Sequence, residues 1–227
     1  MSRAKRFLHN NSLTLAFGTA FLLTLVGQAA SGIAEANNQL VAADLQPVGV
    51  ADYLTGADFA VDVTENWQSE YLQFFLYIFG TVWLLQRGSP ESKPLDRVGT
   101  ESDRQQKVGE HADADSPASA RASGLRRTLY SRSLGSVMAL FFLGSWFAQS
   151  VAGVASFNAG RLRDLQAPFT WWDYVLSADF WNRTLQNWQS ELLAVASMAI
   201  LSVYLRQRGS PESKPVGAAH TSTGVEG

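Results

Sequence analysis

Asn66-Trp67-Gln68-Ser69-Glu70 returns later in the same chain as Asn187-Trp188-Gln189-Ser190-Glu191. Arg87-Gly88-Ser89-Pro90-Glu91-Ser92-Lys93-Pro94 returns unchanged as residues 208–215. Both blocks recur at an offset of 121 residues, so the spacing between them is kept. An apolar stretch of membrane-helix character separates the blocks in each copy. The chain therefore reads as two related halves, and a repeat of this length governs every other reading of the fold. A residue present in both halves is a better functional candidate than one present in a single half.

Composition removes several classes of function. The mean hydropathy of −0.04 averages very apolar stretches with very polar ones. Cysteine is absent, which excludes disulfides, thiolate metal sites and cysteine nucleophiles. His9, His111 and His220 lie in the N-terminal flank, the central linker and the C-terminal tail. Segments of that kind do not hold metal ligands rigidly. A net charge of −2, with no basic patch interleaved with aromatics, speaks against nucleic acid as a partner. There is no nucleophile–base pair, phosphate-cradling glycine loop or metal cluster, so no enzyme, catalytic residue, cofactor or metal is expected.

Residues 13–33 are nearly continuous apolar sequence without a charge. As a helix they reach about 30 Å, the thickness of a bilayer core. Residues 134–154 are their counterpart. The second span of each half, residues 71–85 and 192–205, gives only about 21–23 Å of helix. Extending it back to Trp67 or Trp188 gives about 27–28 Å. Trp67 and Trp188 then mark one interface, and Trp83 and Tyr204 the other, as an aromatic belt requires. A cleaved signal peptide is the rival reading of the first span. Its counterpart at 134–154 is internal and cannot be cleaved, which favours spans for both.

Lys and Arg set the orientation. Arg3, Lys5 and Arg6 precede the first span, and basic residues flank the linker and the last span. Residues 35–70 contain seven acids and no Lys or Arg. Both termini and the linker are therefore expected in the cytoplasm. Two spans per half return the chain to the same side. The halves are then parallel repeats about an axis along the membrane normal, not inverted ones.

Outside the membrane the first span of each half is expected to continue as a helix that ends by Pro47 or Pro168. Asp44-Leu45-Gln46 matches Asp164-Leu165-Gln166 at an offset of 120, so a one-residue gap is expected before Tyr53 and Tyr174 restore 121. Thr170 with Asp173, and Ser177 or Thr55, read as helix starts. Trp171, Trp172 and Trp181 suggest short helices at headgroup level on the periplasmic side. Residues 95–124 are polar and mixed in charge, with too little apolar surface to fold, and read as disordered. The tail after Pro215 is similar.

Polar side chains at membrane depth need a partner or a purpose. Thr24, Gln28 and Gly32 share one face of the first span, and Ser145, Gln149 and Gly153 repeat them on the third. Asn66 with Glu70, and Asn187 with Glu191, form i, i+4 pairs on the second and fourth. Gln28 and Glu70 come out at nearly equal depth. The Gln amide is therefore expected to donate to the Glu carboxylate within each hairpin, and Gln149 to Glu191 likewise. Two roles fit. The pair clips the hairpin together, or two carboxylates face each other across the axis and bind a proton, cation or amine.

In the second block Gly88 and Gly209 suit a left-handed position at a helix end. Such caps do not by themselves demand eight identical residues. Arg87, Glu91, Lys93, Arg208, Glu212 and Lys214 are therefore candidates for docking a cytoplasmic protein. The NWQSE block, an apolar span and QRGSPESKP together resemble a family of small bacterial integral-membrane proteins classed only as a domain of unknown function. The resemblance covers both halves. It implies a bacterial inner-membrane location and no particular activity.

The expectation is an all-α protein in the lipid bilayer, with four transmembrane helices as two parallel-repeat hairpins. The hairpins are residues 1–94 and 127–215, joined by a disordered linker at 95–126 and followed by a disordered tail at 216–227. The expected role is structural or interactive and non-enzymatic. The alternative is a small ion- or proton-coupled transporter or channel using Glu70 and Glu191. Sequence does not indicate an oligomeric state.

Overall fold

A computed structural model describes residues 2–225. Residues 1, 226 and 227, the ends of the expected first hairpin and tail, lie outside the described residues. Among the described residues the chain is helical, without a strand. Its helices are α1 (Arg3–Asn10), α2 (Ser12–Ala42), α3 (Val50–Leu54), α4 (Ala57–Gly80), α5 (Ala118–Arg121), α6 (Gly124–Ser131), α7 (Ser133–Arg163), α8 (Trp171–Val175) and α9 (Ala178–Tyr204). The starts of α1, α2, α3 and α4 recur at α6, α7, α8 and α9 with the 121-residue offset of the sequence blocks. α2 and α7 are each long and apolar enough to cross a membrane. α4 and α9 are less apolar, because acidic and amide residues occupy their first turns. α4 also stops at Gly80, not near Leu85, and starts as early as Ala57, so its 24 residues still measure about 36 Å.

The two long helices end alike. Asp44 and Leu165 both adopt left-handed backbone, at φ 57° and 58°. Leu45 N–H then donates to Leu40 at 2.8 Å, and Gln166 N–H to Arg161 at 2.8 Å. The offset is 121 throughout, so the expected one-residue gap does not exist. The turn geometry aligns Asp44 with Leu165, where residue identity alone had aligned it with Asp164. A pair of asparagines then locks the return of the chain. Asn37 accepts from Val48 N–H at 2.7 Å and donates to its carbonyl at 3.2 Å. Asn158 does the same with Phe169, at 2.7 and 2.8 Å. Thr170 and Asp173 form the expected capping box, and Ser177 caps α9. Gly56, not Thr55, starts α4, and the Thr55 hydroxyl bonds back to Ala51.

α3 and α8 tuck under the long helices through one tyrosine each. The Tyr53 hydroxyl lies on Gly32 and the Tyr174 hydroxyl on Gly153, so a Cβ at either glycine would collide with the ring. Burial, and then the charge of Asp179, push the Tyr174 hydroxyl up to about 12. The most extensive helix contact in the molecule is α4 against α7, followed by α4 against α9. α4 and α7 run antiparallel, with Asp58 beside Ser156, Tyr71 stacked on Phe141 and Ile78 against Gly135. Small residues on α7, among them Gly135, Ser145 and Ser156, let the backbones approach. α2 instead stands off, with none of its residues buried.

Two outcomes test these locks. Gly153→Ala should cost about 1–3 kcal/mol through overpacking against Tyr174, and Gly153→Ala with Tyr174→Phe should recover part of it by thermal denaturation. Asn158→Ala removes two hydrogen bonds from a half-buried site and should cost about 1–3 kcal/mol, more than Asn37→Ala at its exposed counterpart.

Candidate functional site

The expected Gln–Glu bonds do not form. Gln28 and Glu70 line one groove of about 670 Å³ between α2 and α4, with Thr24, Asn66 and Trp67, but no hydrogen bond joins them. The hairpin is splayed there, because α4 commits its buried face, with Val61, Gln68, Ser69 and Leu72, to α7. Gln149 is fully buried, and Glu191 receives only a 3.4 Å bond from the Ser190 hydroxyl. Asn66 and Asn187 each donate back to the preceding turn of their own helix, to Asp62 at 2.8 Å and Arg183 at 2.9 Å. Glu70 is exposed and Glu191 half-buried.

The polar centre of the molecule lies where α4, α7 and α9 meet. Gln68, Gln149 and Thr184 are each 0% exposed there. Trp188 Nε1 donates to Gln68 Oε1 at 2.7 Å, and Trp146 Nε1 to Thr184 Oγ1 at 3.4 Å. The Gln68 Nε2 and both amide atoms of Gln149 have no protein partner. Buried unpaired amides are uncommon in folded proteins. Phe142, Trp146, Phe180 and Trp188 wall the cluster. On the outer side Arg183 pairs with Glu65 at 2.8 Å and approaches Asp179 at 3.8 Å.

The repeated RGSPESKP blocks fold into the same turn twice. Ser92 Oγ accepts from Gln86 N–H at 3.0 Å, and Ser213 Oγ from Gln207 N–H at 2.9 Å. Lys93 Nζ reaches the Gly99 carbonyl at 2.9 Å, and Lys214 Nζ the His220 carbonyl at 3.0 Å. Gly88 and Gly209 take φ 87° and 80°, in the turn beyond the helix end. Lys93 also pairs with Glu101 at 3.1 Å, and Lys214 is 1% exposed, so Lys214 is a structural residue and not a docking one. Arg87, Arg208 and Glu212 remain exposed. The linker carries α5 and one 3-10 turn, Gly109–His111, as its regular structure. The tail, expected to trail free, crosses to the first block. Gly88 N–H donates to Thr223 Oγ1 at 2.8 Å, and Gly224 N–H to Ser89 at 3.1 Å.

The tight turns bring Glu91 and Glu212 side by side. Burial, and then the neighbouring Glu212 carboxylate, raise the Glu91 carboxyl above its ordinary value. A raised folded value means that this contact stabilises most in acid. Its contribution is lost as pH rises through the raised value. Glu91→Gln keeps the neutral form at every pH, so it should raise Tm at pH 7–8 and flatten the acid-to-neutral dependence of Tm.

Exposed apolar helices, a buried amide cluster and two matching turns define a helical protein, two of whose helices are long and apolar enough to cross a membrane. The chain matches, over residues 4–225, the family described as Domain of unknown function (DUF6766), and it belongs to that family. Neither the curated proteins nor the solved structures yield a match.

Proposed function

We propose that this chain is a multi-pass inner-membrane protein with a structural or interaction role. Its four spans are α2, α4, α7 and α9, arranged as two parallel hairpins with both termini and the linker in the cytoplasm. One observation carries the reading. α2 exposes Phe17, Leu22, Leu23 and Val26 at 60% or more, an apolar surface that water does not tolerate but lipid does. α3 and α8 then lie at the outer interface. The exposed Arg87 and Arg208 give the cytoplasmic side a repeated basic feature that a protein partner can read. Single cysteines introduced at residues 110 and 220 should resist periplasmic labelling in intact cells, and one at residue 50 should react. Labelling of 110 or 220 from outside would overturn the topology.

A second reading rests on the α2–α4 groove, whose polar residues Gln28, Asn66 and Glu70 suit a proton, cation or amine. Glu70→Gln with Glu191→Gln should then abolish flux in liposomes at unchanged Tm. Absence of flux from the unmodified protein would leave the structural role alone.

A further inference from the structure

The 121-residue repeat leaves two faces unfilled. In the first half, α4 takes α7 against Val61, Gln68, Ser69 and Leu72, which are 2%, 0%, 2% and 7% exposed. The same positions on α9 are Asn182, Gln189, Ser190 and Leu193. All four are exposed, Leu193 at 64%. The helix equivalent to α7 is α2. Gly32 of its matching stripe lies under Tyr53, whereas Thr24 and Gln28 face an open groove, and α2 makes no helix contact comparable to that of α4 with α7. Within one chain, then, α9 lacks a seated helix and α2 lacks a seat.

We propose that α9 of one copy receives α2 of a second copy, repeating between chains the α4–α7 contact that joins the halves of one chain. This rests on the membrane reading above, under which every copy shares one orientation. The occupant is a second copy because the interface already exists in this chain, formed by the same residue types at the same offset. The contact is head-to-tail. Different faces meet, so copies assemble into a ring where the rotation closes and into a string where it does not.

Individual bonds carry over. Within the chain, Trp188 of α9 donates to Gln68 of α4 at 2.7 Å. The counterpart is Trp67 of α4 donating to Gln189 of a neighbouring copy. Trp67 is 41% exposed, its indole N–H has no partner among the described residues, and Gln189 is exposed. Arg183 and Glu65 form the bridge between α9 and α4. Their counterparts are Asp62 and Gln186, a carboxylate facing an amide donor. The second copy also completes a site. Gln68 closes the α7–α9 cluster from the side, whereas the equivalent α2–α4 groove around Gln28 and Glu70 stands open until Gln189 of a neighbour covers it. One position mismatches. Ser156 donates to Asp58 within the chain, but its counterpart Glu35 would face Asp179. Arg183, 3.8 Å from Asp179, offsets part of that repulsion.

The chain has no cysteine, so cross-linking is clean. Ala20→Cys and Leu192→Cys are the counterparts of Phe141 and Tyr71, whose rings stack at 4.9 Å. Full-length copies carrying one cysteine each, with different tags, are co-expressed and treated in membranes with a short permeable bis-maleimide. The expected result is a covalent dimer only when both variants are present. Leu193→Arg should abolish it, and Glu35→Ser should raise its yield at least two-fold. A single chain carrying Tyr71→Cys and Phe141→Cys gives the internal link that shows intact folding in each background. Dimers from one variant alone at equal yield, or no mixed dimer while the internal link forms, would overturn the proposal. Recovery of the protein in the membrane fraction reads the membrane assignment separately.

Discussion

The close antiparallel approach of α7 to α4 decides the rest of the structure. Gly135, Ser145 and Ser156 keep that face of α7 low, so the two backbones meet without bulky side chains between them. Once α4 is committed to α7, its amide face is buried, and Gln68 becomes the acceptor for the Trp188 indole. That bond draws α9 to α4, and Arg183 with Glu65 closes the same gap from outside. α2, left with the opposite side of α4, retains a groove where the second half has a filled cluster.

Much of this was legible in sequence, and the reason is local. Helix starts follow from Thr170, Asp173 and Ser177, whose side chains cap the turns they precede. The offset of 121 follows from two identical blocks. Which faces meet was not legible, because tertiary choice between α2 and α7 depends on packing that no single hairpin encodes. The Gln28–Glu70 pairing was inferred from depth alone, and depth does not fix the rotation of one helix about another. Asn37 and Asn158 were a missed signal. They recur at the same offset as the tyrosines, and each bonds both backbone polar groups of one distant residue.

The identity of the RGSPESKP blocks has a physical account in part. Gly, Ser and Lys of the block each supply a bond or a backbone angle that the turn needs twice, and two serine hydroxyls cap peptide N–H groups in each copy. Lysine is required because its ammonium gathers carbonyls of the following loop, three of them at Lys214. No such duty falls on Arg87 or Arg208, which face outward. Folding therefore accounts for the glycine, the two serines and the lysine of each copy and not for the two arginines.

The two halves show how one substitution redirects a shared set of polar residues. Gln149 and Gln28 occupy the same place on their helices. Beside Gln149 stands Trp146, whose indole fills the space to α9 and bonds Thr184. Beside Gln28 stands Leu25, with Val63 opposite, and neither is large enough or polar enough to span the gap. The same amide is thus sealed in one half and open in the other, and Glu70 stays reachable in the groove. Under the membrane reading, a polar groove of this kind holds its charge only where water, an ion or another protein surface reaches it. The asymmetry between Trp146 and Leu25 is therefore the feature that closes one half of this repeat and leaves the equivalent groove of the other half open.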